Sequence, residues 1–186
     1  SPNTATALLE TGFRIDSSIA SQRFDFFLSF GSKKKIKFLY APRLPYRTNR
    51  NNLFIKGQSN LVEIPPSATI IPFAGTSMRI MPKITGCHQK ILHLEAKLNR
   101  KPVVFIIHPN EIIDESNEPR TIRRRSDNFI TYVLSDLLRA KLKTMNLGEN
   151  ALPIYEKLII YYIKKEYTFT TMQEYVCSNK GKISNL

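Results

Sequence analysis

Cysteine is scarce in this chain: Cys87 and Cys177 are the only two, they lie far apart, and no Cys-x-x-Cys occurs. That excludes a disulfide-framed scaffold and a zinc ribbon. Acidic residues are few beside basic ones, 15 against 28, for a formal net charge of +13. A surplus of that size draws polyanions and anionic surfaces but says nothing about fold. Long apolar runs are missing too. The longest, Val103–Ile107 and Leu158–Ile163, are strand-sized or half a helix, well short of the roughly 18–20 residues of a membrane helix. A membrane span and a coiled coil are both excluded. With three histidines in all, imidazole chemistry has few places to sit. No phosphate-cradling Gly-rich loop, Gly-x-Ser-x-Gly elbow or His-Glu-x-x-His occurs.

What remains is ordinary globular material. The chain has 186 residues, 42% hydrophobic and 23% charged, which predicts one domain spanning 1–186. It opens on Ser1-Pro2-Asn3, and no charged-then-apolar signal follows. A fragment of a longer protein is therefore the expectation, with the compartment left open between cytoplasm and cell envelope.

Hydrophobic spacing sets the expected elements. Thr4–Glu10 reads as a helix stopped by Gly12, and Phe13–Asp16 as a short strand ending in Asp16-Ser17-Ser18. Ser21–Gln58 shows no sustained period and reads as one long irregular excursion, with Ala41-Pro42-Arg43-Leu44-Pro45-Tyr46 barred from helix by its prolines. Leu61–Ile64 reads as a strand, and His88–Leu98 as an amphipathic helix with Ile91, Leu92, Leu94 and Leu98 as its apolar face. Val103–Ile107 is a β-branched run of the kind buried on both faces of a parallel sheet, ending at His108-Pro109. Helices are expected over Asp127–Lys143 and Pro153–Lys165, then a strand at Tyr167–Thr170 and a turn capped by Thr171. The class is α/β.

Chemistry concentrates at two strand ends. His88 and His93 are five residues apart, about 140° around a helix, so they form no i, i+4 metal pair and read as surface residues. His108 follows an apolar strand and is restricted by Pro109; a carboxyl-edge position favours a functional role. Asp16 ends the other strand, where an Asp serves equally well as a turn cap. Held by a carboxylate, an imidazole suits general acid work. Glu111 either orients a ligand hydroxyl or merely solvates its loop. The arginines at 120, 123, 124 and 125 either bind phosphate or form a solvated linker; without interleaved aromatics, nucleic acid is the weaker reading.

Several segments are similar to one family. Leu9-Glu10-Thr11-Gly12-Phe13-Arg14-Ile15-Asp16-Ser17-Ser18 resembles the "L-x-E-x-G-[FY]-x-[YI]-D-S-S" strand of polysaccharide deacetylases (NodB homology). Ala41–Tyr46 resembles the "A-P-R-x-P-Y" loop of the subgroup associated with exopolysaccharide synthesis, and Leu61–Pro65 its "E-x-P" strand. Gly75-Thr76-Ser77-Met78-Arg79 is similar to the glycine-rich turn that follows. Val104–Glu111 is similar to "V-x-[YF]-x-H-P-W-E", with Asn110 in place of Trp, and Tyr167–Met172 to the closing strand. The matches fall in family order along nearly the whole chain.

The resemblance implies the C-terminal portion of a distorted (β/α)₇ barrel, with an irregular loop insertion and C-terminal helices. It implies metal-dependent hydrolysis of N-acetyl groups on a polysaccharide or amino sugar, with a divalent ion, zinc, in the full-length protein. His108 then takes the general-acid role, Asp16 is the supporting carboxylate, and Arg43, Tyr46 and Glu111 contact substrate. The family's Thr-Phe-Asp-Asp and His-[Ser/Thr]-x-x-x-His metal-binding segments precede the position of Asp16 and do not occur here. Ser1-Pro2 resembles the tail of the family's "R-S-P". The expectation is thus a C-terminal half, inactive alone, that pairs its open sheet edges with the missing half or with a second copy. The alternatives are a non-catalytic glycan-binding domain and a basic polyanion-binding domain.

Overall fold

The computed structural model describes residues 2–21, 37–113, 129, 132–137, 141–142 and 144–184. Helix α1 (Pro2–Glu10) ends where Gly12 takes a φ of 89°, a backbone that glycine adopts without strain. The Phe13 N–H then returns to the Leu8 carbonyl and turns the chain into β1 (Ile15–Asp16). The helix and the strand sit where the sequence placed them, although only the last two residues of the strand pair.

The excursion after Ser21 is more ordered than its sequence suggests. Residues 22–36 lie outside the described residues. Beyond them come a short helix, α2 (Lys37–Tyr40), and a hairpin of β2 (Tyr46–Asn49) and β3 (Asn52–Lys56). Two residues turn the hairpin, and Asn49 Oδ1 accepts from the Asn51 N–H at 2.9 Å. A bulge follows at Thr48/Asn49. Gly57 lies so close that a Cβ there would sit 2.6 Å from Asn49 Cα; no other residue fits without moving the strand.

Strand β4 (Val62–Glu63) completes a mixed sheet in the order β1-β4-β2-β3. It runs parallel to β1 and antiparallel to β2. Around this sheet three apolar groups form: Ala5, Ile19, Ala41, Leu53 and Leu61 under α1; Phe73, Met78, Leu92, Leu158 and Tyr162 between helices; and Val62 and Ile64 under Ile183. Each large side chain so buried contributes about 1.5–3 kcal/mol of transfer free energy.

Val103–Ile107 is extended but is not a strand buried on both faces. It makes one parallel bridge, Ile106 to Ala74, and all five side chains are half-buried. The physical reason is its partner. The Pro65–Pro72 stretch beside it has three prolines without N–H groups, so pairing is reduced to Ser67 with Val104 and to Phe73 and Gly75 with Ile106. Tyr167–Thr170, also expected as a strand, enters no ladder among the described residues.

Helix α3 (Gly75–Ile80) leads into α4 (Pro82–Asn99), which starts on a proline and stops at Arg100 in the left-handed region, φ 57°. The helix is longer than expected and faces the other way. Thr85, His88, Gln89, Leu92 and His93 point inward, while Ile91, Leu94 and Leu98 are exposed. The expectation of surface histidines at 88 and 93 is therefore corrected: both are buried.

The helix expected over Asp127–Lys143 falls partly outside the described residues; within them Tyr132–Leu137 form a π-helical turn, and 129, 141 and 142 are helical. Asn146 and Gly148, both at positive φ, end that region. Helix α5 (Leu152–Lys164) begins with Pro153 in its first turn, and α6 (Met172–Ser178) carries the expected Thr171 cap. Helix α7 (Lys180–Ser184) brings Ile183 onto the sheet. Among the described residues no helix is long and apolar enough to cross a membrane.

Candidate active site

Three polar side chains line up across the sheet. The register sets Asp16 beside Glu63 and Glu63 beside Tyr46, on neighbouring strands. Side chains at paired positions share a face, so the row runs carboxylate, carboxyl, phenol. The Asp16-Ser17-Ser18 turn is tied down at its closing end. Ser17 Oγ donates to the Ile64 carbonyl at 2.8 Å, Ser18 Oγ donates to Asp16 Oδ2 at 2.7 Å, and the Ile19 N–H donates to Glu63 Oε1 at 2.8 Å. These bonds account for small hydroxyl residues after the strand.

Glu63 is wholly buried. Burial pushes its carboxyl up to about 8, and the Asp16 charge adds to the rise, against the lowering effect of the Ile19 and Ser18 amides. Its Oε2 meets no hydrogen-bond donor among the described residues. Sequence reasoning passed over Glu63 as a functional residue; the signal available was an acid inside an apolar strand, Leu61-Val62-Glu63-Ile64.

The end of the 103–107 segment is built by two motifs that lock together. After Ile107 the chain enters a 3₁₀ turn, Pro109–Glu111. Glu111 Oε2 accepts from the His108 N–H at 3.0 Å, while Oε1 accepts from Thr76 Oγ1 at 2.5 Å and from Arg79 at 3.2 Å. Arg79 also donates to the Met145 carbonyl at 2.5 Å. Gly75 sits so close that a Cβ would collide with Glu111 Oε2. The Gly75 N–H donates to the Ile106 carbonyl at 2.7 Å, joining the two segments directly. The result is a clamped loop with the His108 ring exposed at its tip.

The candidate residues thus part company. Glu111 does not solvate its loop, because it is buried in an ion pair with Arg79. Tyr46 is fully buried and its hydroxyl donates to the Leu53 carbonyl at 2.5 Å. Burial, with the nearby Glu63 and Asp16, raises its phenol well above the usual range. It has no surface to offer a sugar. Arg43 grips both Glu95 oxygens at 2.7 Å and donates to the Ala68 carbonyl at 2.8 Å. Burial works to raise Glu95, but Arg43 and Lys101 outweigh it and hold the carboxyl below its ordinary value.

His108 and Asp16 are not joined. No hydrogen bond or ion pair links them among the described residues; Asp16 is engaged by Ser18 and Glu63, and His108 through its backbone by Glu111. Among the described residues the segment carrying His108 enters no ladder with β1 or β4: its backbone is tied to Ser67, Phe73 and Gly75, while Val104 packs against the cluster of Val62 and Ile64.

The remaining histidines serve packing. His88 lies edge-on to Phe73 at 5.3 Å, with neither ring nitrogen bonded among the described residues. Burial, with Arg43 and Lys101 nearby, lowers it to about 4. His93 Nδ1 is 2.9 Å from the Tyr167 hydroxyl. A groove of about 960 Å³ runs between α4, the 102–107 segment and α5, lined by Phe105, Tyr155, Tyr162, Tyr167, Lys97 and Lys165 among others. Neither His108 nor Asp16 lines it.

Comparison of the chain with protein-family models, with characterised proteins and with solved structures found no match. Among the described residues no three His, Cys, Asp or Glu side chains converge. Asp16 and Glu63 stand as a pair without an imidazole, so these residues do not fit the divalent ion that the resemblance implies. The arginines at 120 and 123–125 lie outside the described residues.

Proposed function

We propose that this chain is the C-terminal part of a carbohydrate N-deacetylase, contributing protein groups to the hydrolysis of N-acetyl groups on an amino sugar or polysaccharide. The observation that carries the reading is the clamped loop. A buried ion pair and two further hydrogen bonds to Glu111 hold residues 108–111, with one exposed imidazole at the end of the 103–107 segment. An exposed histidine on a turn whose backbone is held by Glu111 suits proton transfer, because the position of its Cα is set before substrate arrives. In this reading His108 gives its proton to the leaving amine. Asp16, at the end of β1, supplies the negative charge that orients the site.

The free edge of β1 supports the partner reading. Its one ladder among the described residues is to β4, which leaves backbone donors and acceptors for a strand from a preceding segment or a second copy. The metal ligands belong to that preceding segment. Arg43 is engaged by Glu95 and the Ala68 carbonyl. The test is acetate release from an N-acetylglucosamine oligomer with zinc added. The reading expects turnover when this chain is preceded by residues carrying Asp-Asp and His-x-x-x-His, and none from the 186 residues alone. Equal turnover from the chain alone would overturn it.

A further inference from the structure

We propose that Glu63 is a positioning residue: a neutral carboxylic acid whose proton is donated to Asp16, fixing that carboxylate at the end of β1. The proposal rests on the reading of Asp16 as the site's carboxylate. It starts from register, since the β1–β4 ladder sets the two acids side by side. One oxygen of Glu63 is satisfied by the Ile19 N–H; the other, fully buried, meets no donor among the described residues. A buried carboxylate oxygen left without a donor is costly, and a second anion beside it adds repulsion. One proton on Glu63 Oε2, directed at Asp16, removes both penalties.

The environment decides which acid holds that proton. Asp16 is half-buried and already accepts the Ser18 hydroxyl, so its charge is supported. Glu63 is sealed from water. The groups facing it are Asp16 from β1, Tyr46 from β2 and the Ser18 and Ile19 amides from the turn; no cation acts on it among the described residues. Tyr46 stays neutral and donates to Leu53, so it cannot share the role. Asp16 therefore receives two O–H donors, Ser18 and Glu63. Loss of the Glu63 proton at alkaline pH sets two anions against each other and releases Asp16.

Infrared difference spectroscopy of the 186-residue chain at pH 7 tests the shared proton directly. The carbonyl stretch of an un-ionised carboxylic acid is expected in the wild type and absent in Glu63→Gln. In Asp16→Asn it should titrate away at lower pH, because the neighbouring charge is gone. No such band at pH 7, or a band that survives in Glu63→Gln, overturns the proposal. The second readout is the pH profile of the deacetylase-competent polypeptide. Glu63→Gln, which keeps a donor, should lose the alkaline fall in rate, whereas Glu63→Leu should slow turnover about tenfold at pH 7. An alkaline limb unmoved by Glu63→Gln overturns the positioning role. A band that behaves as expected, with no turnover in any version, sinks the deacetylase reading and upholds the shared proton.

Discussion

Breaking the Arg79–Glu111 pair is the sharpest perturbation of the loop that presents His108. Both side chains are almost fully buried, at 3% and 5% exposure, and each holds further bonds. Arg79→Met leaves Glu111 against Thr76 and the His108 amide; Glu111→Leu takes from Arg79 the carboxylate it meets at 3.2 Å. Removing one partner of such a pair costs about 3–5 kcal/mol, because the other charge stays in the interior. In a chain of this size each kcal/mol moves the melting temperature about 2–4 °C, so each single variant should melt about 6–20 °C lower. The double variant strands no charge and should recover most of that loss. Thermal and urea unfolding of the four proteins completes the cycle. Hydrogen exchange adds a local readout, since the His108 amide, bonded to Glu111, should exchange faster in Glu111→Leu. Single losses below about 1 kcal/mol, the range of exposed pairs, would refute the reasoning. So would a double variant that costs the sum of the two.

Four further outcomes follow from named contacts. Gly75→Ala should destabilise by about 1–3 kcal/mol in the same assay, because its methyl meets Glu111. Tyr46→Phe should cost about 1–2 kcal/mol through the lost bond to Leu53, with KM for substrate unmoved in the active polypeptide. Thr171→Ala removes the side chain that accepts from the Glu174 N–H, and should cost about 1 kcal/mol. His88→Leu tests a pH effect. With its folded-state value lowered from 6.5 to about 4, His88 binds fewer protons folded than unfolded between those values, so its contribution to stability falls as pH falls through that window. Removing it should help more at pH 5 than at pH 7, read from urea midpoints.

Local chemistry was the most legible part of the chain. Gly12, Pro153 and Thr171 each did in the structure what their side chains or their missing Cβ and N–H allow. The strand end at Asp16-Ser17-Ser18 was also readable, since small hydroxyl residues there have few uses; His108-Pro109, expected as a second strand end, instead opens a 3₁₀ turn after a segment with a single bridge. What stayed hidden depended on distant partners. Helix α4 has leucines and isoleucines enough for an inward face, yet Arg43 on Glu95, Gln89 on the Leu158 carbonyl and Tyr167 beside His93 draw its polar side inward. Spacing within one helix cannot reveal such ties. The hairpin was obscured by short strands rich in Arg, Asn and Lys, although Asn49 to Asn52 followed by Gly57 carried its signal. Val103–Ile107 has strand composition without strand pairing, because the prolines that thin its ladder lie some thirty to forty positions upstream, at 65, 66 and 72. The same distance effect hid Glu63, whose meaning depends on Asp16 across the sheet.

The most direct test of the account is the turnover of His108→Ala beside wild type, in a polypeptide joining this chain to a segment with the metal ligands, on an N-acetylglucosamine oligomer with zinc. The account predicts a fall of about 10²–10⁴ in rate with metal affinity and melting temperature unchanged. Wild-type turnover from His108→Ala would contradict it.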